Sequence, residues 1–144
     1  MKTSAGILLY RRNNSEPEFF LVHPGGPFWV RRDEGVWSIP KGEYENEDPF
    51  SAAKREFKEE TGFDLPQGEF LKLAPIVQRG GKEICAWAVE GDADPEKLKS
   101  NPVRIWGKEF SEVDRGGWFG LEKARKKINS AQVAFIEELL VSLK

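Results

Sequence analysis

The chain has 144 residues, with 22 basic against 24 acidic side chains and a formal charge of −2. That length suits a single domain over residues 1–144, and the charge balance lacks the basic excess that favours DNA. One histidine, His23, excludes a multi-histidine metal site, and one cysteine, Cys85, excludes an internal disulfide. No stretch approaches a membrane span, and "MKTSAGILLYRR" runs into charge too soon for a signal peptide, so a cytoplasmic protein without a membrane or DNA partner is expected.

Residues 4–10 and 16–23 read as strands, with "RRNNS" as the turn between them. "PGGPFWVRRDEG" is a loop carrying Arg31 and Arg32, and "VWSIP" is a short extended segment because Pro40 biases Ile39 away from helix. Asp48 before Pro49 is a helix start, since Asp caps and Pro suits the first helical position. Phe50, Ala53 and Phe57 then follow a helical period, and Gly62 is a C-cap, which predicts a helix over 49–61. Strands are predicted over 69–79 and 82–91, with Cys85 and Trp87 in the core. Residues 92–102 read as a polar loop or short helical turn, and 103–113 as extended. Leu121, Ala124 and Ile128 share one helical face. Ser130 is expected to cap a last helix lined by Val133, Ile136, Leu140 and Leu143. Strands interleaved with helices give an α/β class, layered around one sheet.

The chemistry concentrates in residues 37–63, "WSIPKGEYENEDPFSAAKREFKEETGF", where seven acids lie between Glu43 and Glu60 against three basic residues. Glu56, Glu59 and Glu60 stand at i, i+3 and i+4, on one helical surface lateral to the apolar face. Like charges at that spacing repel unless something neutralises them. A divalent cation does so, and Mg²⁺ takes oxygen ligands together with substrate phosphates. The alternative is a solvated face whose acids pair with Lys54, Arg55 and Lys58. Arg31, Arg32 and Lys41 are candidate phosphate contacts, with ordinary surface charge as their plain alternative.

This segment resembles the signature of the Nudix hydrolase family. Glu47, seven residues, and then "REFKEETGF" from Arg55 to Phe63 match the second half of that motif at every defined position. One position departs: four residues, not five, separate Gly42 from Glu47. Beyond the motif, "HPGGPFW", "WSIPKGE", "AWAVEGD" and "EVDRGGWF" resemble a bacterial subgroup of predicted nucleoside-triphosphate pyrophosphohydrolases. The Trp-x-x-Pro-Lys-Gly approach is similar to that of small diadenosine-polyphosphate hydrolases.

The resemblance implies a Nudix-type α/β/α sandwich around a mixed, curved β-sheet. It implies hydrolysis of a phosphoanhydride bond in a nucleotide or dinucleoside polyphosphate, with Mg²⁺ or Mn²⁺ as cofactor. It makes Glu56 and Glu60 the main metal ligands, and Glu59 a further ligand or the group that orients or deprotonates water. It makes Arg55 and Glu47 a structural pair, and gives the backbone carbonyl of Lys41 to the metal. An acid from outside the motif is implied as ligand or base. Glu112 is the first candidate, before Asp114 and Glu109. Trp29 is the first choice for stacking a nucleobase, with packing of its loop as the alternative. Trp37 is open to either role, and Trp106 needs none beyond packing in a strand. A non-catalytic module that binds a nucleotide or a protein is the competing reading, and an enzyme of the same fold on another phosphorylated substrate is a third. Monomer and homodimer are both open.

Overall fold

The computed structural model describes residues 2–144. Its frame is a seven-stranded mixed sheet built from β1 (Thr3–Asn13), β2 (Glu16–Pro24), β3 (Lys41–Glu43), β4 (Leu71–Lys72), β5 (Ile76–Val77), β6 (Glu83–Glu90) and β9 (Val113–Gly120). The order is β4-β6-β1-β2-β9, with β3 also on β1 and β5 also on β6. β1 and β6 are parallel, and the other pairs are antiparallel. β7 (Pro102–Ile105) and β8 (Lys108–Ser111) form a separate hairpin.

Strand alternation sorts side chains to two faces. Ala5, Ile7 and Leu9 of β1, Phe20 and Val22 of β2, and Trp87 and Val89 of β6 pack with Ala52, Ala53 and Phe57 of α1 (Pro49–Thr61). The intervening Leu8, Phe19, Leu21, Ile84, Ala86 and Ala88 meet α2 (Leu121–Lys127) and α3 (Val133–Ser142) through Ala124, Phe135, Ile136 and Leu139. The result is the α/β/α sandwich implied by the resemblance. Phe19, Phe20, Phe57 and Phe135 are wholly buried, each stabilising by about 2–3 kcal/mol.

The site lies where β1 and β2 part. They pair only from Tyr10↔Phe19 to Asn13↔Glu16. Towards the start of β1, residues 38–43 wedge between them. Ser38 and Val22 exchange backbone hydrogen bonds of 2.8 and 3.0 Å, and Ile7 N–H donates to the Pro40 carbonyl at 3.1 Å. Ser4 to Gly6 then pair with β3.

Several boundaries differ from the sequence expectation. β1 runs on to Asn13, and only Asn14 and Ser15 turn, at φ 53° and 69°, the two positive values that a tight hairpin needs. The predicted strand over 69–79 is two short pieces, β4 and β5. Residues 103–113 are a hairpin that turns at Trp106 (φ 53°) and Gly107 (φ 75°), not one extended run. Asn129, not Ser130, caps the last helical region: its Oδ1 accepts from Ala131 N–H at 3.0 Å, and a 3₁₀ turn over Ser130–Gln132 leads into α3.

Candidate active site

α1 spans the predicted residues because its ends are well specified. Asp48 accepts from Ser51 N–H at 3.0 Å, Pro49 fills the first turn, and Gly62 adopts φ 76°, donating its N–H to the Lys58 carbonyl at 2.8 Å. With Ala52, Ala53 and Phe57 seated on the sheet, Glu56 and Glu60 are turned towards the wedge. They are 7% and 6% exposed, buried rather than lateral as the spacing suggested. The N–H of Lys41 donates to Glu60 Oε1 at 3.2 Å. Gly42 has no side chain where the Glu56 carboxylate lies.

Arg55 gathers the remaining acids. Its Nη2 and Nε donate to Glu47 at 2.8 and 3.1 Å, and its Nη1 donates to Glu56 Oε1 at 2.8 Å and Glu59 Oε2 at 3.0 Å. The Arg55–Glu47 contact is a two-point fork of the kind planar guanidinium favours. Local pairing of the acids, weighed as the alternative to metal binding, is therefore present in part. Among the described residues, no three His, Cys, Asp or Glu side chains close to the spacing of a metal site.

Burial dominates the electrostatics. It pushes the Glu60 carboxyl up to about 9, with the facing Glu112 carboxylate adding to it and the Lys41 ammonium opposing it. Burial also raises Glu56, helped by Glu59 and Glu112 and opposed by Arg55. It lowers Lys41, against the pull of Glu60, Glu43 and Glu112. Desolvated carboxyls sharing one wedge make a hard-oxygen donor set, which suits Mg²⁺ or Mn²⁺ rather than a softer ion. The residues thus fit the cation in chemistry.

A cavity of about 200 Å³ is lined by Ser38, Lys41, Glu60 and Glu112 among others. It shares Pro24, Val36, Ser38 and Lys41 with a cleft of about 540 Å³ whose other walls include Trp29, Arg32, Gln78, Asn129 and Gln132. The Arg32 guanidinium lies 5.9 Å from the centre of the Trp29 ring. Trp29, Arg32, Lys41, Glu60 and Glu112 are thus brought together around joined hollows. Arg31 is exposed and does not line them. Trp37 corrects the sequence reading: it is 4% exposed and donates its indole N–H to Asp33 at 2.8 Å, with its ring against Phe119. It is core, not a surface for a ligand. Of the two weaker acid candidates, Asp114 is engaged with His23, and Glu109 is exposed on β8.

Two positioning residues escaped the sequence reading. The buried His23 ring bridges the Asp114 carboxylate at 2.9 Å and the Arg32 carbonyl at 2.6 Å, holding the loop of Trp29 to β9. Gln132, 1% exposed, accepts from Ile39 N–H at 3.0 Å and donates to Ser38 Oγ at 3.0 Å. The only signal for either was a polar side chain amid apolar neighbours.

No curated protein sequence matches the chain. Solved structures do. A binary complex of C. elegans Ap4A hydrolase superposes with a TM-score of 0.70 at 22% identity, covering 97% of both chains. The NUDIX domain of Shewanella oneidensis NrtR, complexed with ADP ribose, gives 0.67 at 16% identity over 99% of this chain and 88% of that one. MutT protein from Methanosarcina mazei gives 0.64 at 20% identity over 99% and 95%. At these identities the likeness is one of fold. No helix among the described residues is long and apolar enough to cross a membrane. The NUDIX domain model matches residues 2–139, so the chain belongs to the NUDIX domain family, and that membership supports a pyrophosphohydrolase.

Proposed function

We propose that this chain is a divalent-metal-dependent hydrolase that opens a phosphoanhydride bond in a nucleoside di- or triphosphate derivative or a dinucleoside polyphosphate. The observation that carries the reading is the wedge itself. Glu60 and Glu112 face one another in a cavity continuous in its lining with a cleft bearing Trp29 and Arg32. Glu56, Glu60 and Glu112 would hold Mg²⁺ or Mn²⁺, with Glu59 and the Lys41 carbonyl as further donors. When bound, the cation neutralises phosphate charge and lowers the pKa of coordinated water.

The chain's own residues supply the rest. The Lys41 ammonium on the shared wall and Arg32 in the larger cleft neutralise phosphate oxygens. Trp29 offers an indole face to a base. In the reaction a water oxygen bonds to phosphorus, the anhydride P–O bond breaks, and the leaving phosphate keeps the electron pair. The proton released by water goes to a carboxylate, for which Glu59 and Glu112 are the candidates, since neither is buried like Glu60. A lone free cysteine suits a reducing compartment such as the cytoplasm.

A binding module without turnover is the second reading. Its support is Arg55, whose Nη1 holds both Glu56 and Glu59. One experiment separates the two: product analysis by ion-exchange chromatography with nucleoside triphosphates, diadenosine polyphosphates and nucleotide sugars, in Mg²⁺, in Mn²⁺ and in chelator. Metal-dependent cleavage of one class, slowed in Glu59→Gln or Glu112→Gln, supports the hydrolase. Nucleotide binding without cleavage across the panel supports the module.

A further inference from the structure

We infer that Phe28 and Trp106 form a second nucleobase platform beside the cleft, which makes a dinucleoside polyphosphate the preferred ligand. The inference rests on the phosphoanhydride reading above. Trp106 is 74% exposed and Phe28 56%, an unusual share of water contact for two large aromatics. They come from different elements, the loop after β2 and the tip of the β7–β8 hairpin, yet their ring centres are 4.9 Å apart at 67°.

The pair is held in place from both sides. Trp106 occupies a turn position at φ 53°, where Asn, Asp or Gly is the usual choice. Arg104 Nη2 closes the turn on the Gly107 carbonyl at 2.7 Å. Lower down, the Ile105 side chain packs over Gly26, which has no room for a Cβ there, and Gly25 N–H donates to the Glu112 carbonyl at 2.9 Å. Loop and hairpin therefore dock along their length.

That docking sets the reach. Phe28 is three positions after Gly25, so their Cα atoms are at most about 11 Å apart. Phe28 thus stands within about 11 Å, Cα to Cα, of the residue whose N–H bonds the Glu112 carbonyl. Arg104 and Lys108 flank Trp106, and Arg31 and Arg32 follow Phe28 along its loop, which complements a polyanion. Trp29, adjacent to Phe28, lines the cleft among the polar side chains of Arg32, Gln78 and Asn129. One loop therefore presents two aromatic surfaces, one lining the cleft and one more exposed. A ligand with two bases joined by phosphates uses both, and a mononucleotide uses one. Stacking on the open pair tolerates any base, because it engages only the π-face.

The test is calorimetric binding, in Mg²⁺, of methylene-bridged analogues of diadenosine tetraphosphate and of ATP to wild type, Trp106→Ala, Phe28→Ala and Trp106→Phe. Each variant is checked by circular dichroism and sedimentation. The platform predicts that both alanine variants weaken the dinucleotide analogue about tenfold. It predicts ATP-analogue binding unchanged within about twofold, and recovery in Trp106→Phe. Equal weakening of both analogues, or of neither, overturns the proposal. So does a wild-type dimer that becomes monomeric in Trp106→Ala, which assigns the patch to self-association. Turnover of hydrolysable substrates is measured in parallel. Discriminating binding without cleavage sinks the hydrolase reading and keeps the platform. Cleavage without discrimination does the reverse.

Discussion

Gly42 and Glu56 share one space: a Cβ on Gly42 would overlap the Glu56 carboxylate. The glycine is thus set by the close approach of β3 to α1, and not by an unusual backbone angle. Four residues rather than five connect Gly42 to Glu47, and the shorter path turns at Asn46, with φ 52°. Gly42 still faces the helix.

Gly42→Ala should therefore act on the site more than on the fold. The obstructed group is the end of a flexible side chain, so relief is local, costing about 1–2 kcal/mol. The displaced carboxylate should lower turnover about tenfold or more. Urea unfolding and steady-state kinetics on the same preparation check this. Unchanged turnover would remove Glu56 from the ligand set.

The second prediction concerns pH and the metal-free protein. Glu60 titrates near 9 when folded against an ordinary value of 4.5, chiefly because it is buried. Between those values the folded chain binds more protons than the unfolded one, so stability falls with rising pH. The contribution is complete below about 4.5 and is lost as pH climbs through about 9. Lys41, lowered by burial, acts in the opposite sense in a window approaching 10.5. Glu60→Gln should flatten the loss between pH 5 and 8, raise the Tm at pH 8 in chelator, and cut turnover by about a hundredfold or more. Parallel melting curves for wild type and variant across that range would contradict it.

The burial of Glu60 marks where sequence reading stopped. α1 was readable to the residue because Asp48-Pro49 and Gly62 are local signals. β1, β2 and β6 were readable as strands, but which residues face which helix layer came only with the fold. The orientation of Glu56 and Glu60 did not, because Ala52, as well as Ala53, packs on the sheet and rotates the helix's buried face towards the acids. The β7–β8 hairpin was missed because Trp106 does not announce a positive φ. Trp37 stayed open between packing and stacking for a related reason: its partner, Asp33, lies within an irregular loop whose path no period encodes. Residues 38–43 show the same limit, since their pairing with both β1 and β2 is wholly tertiary.

Arg55 offers a third test. Its guanidinium reaches three carboxylates at once, Glu47, Glu56 and Glu59, which a lysine ammonium cannot do in the same fork. Arg55 is part-exposed, so solvent screens these pairs and each adds little to stability. Arg55→Lys should thus lower the urea midpoint only slightly. If the Arg55 guanidinium orients Glu56 and Glu59 for work, kcat falls about tenfold or more while the KM for substrate changes little. A rise in KM with unchanged kcat would place Arg55 at the substrate instead.

Gln132 should matter through the segment that it holds. Ile39 is wholly buried, and its N–H finds its acceptor in the Gln132 side chain, 93 residues away in sequence. The same amide donates to Ser38 Oγ, whose residue lines both hollows, and Lys41 follows two positions after Ile39. Gln132→Met keeps the length of the side chain and removes both polar groups. It leaves the Ile39 N–H buried without a partner, which costs about 1–3 kcal/mol. The loss should show in urea as a lower midpoint with unchanged slope. If the anchor also fixes Lys41 against Glu60, kcat/KM falls further than in a control of equal instability on the far edge, such as Leu140→Ala. Equal kinetics in Gln132→Met and that control would confine Gln132 to packing.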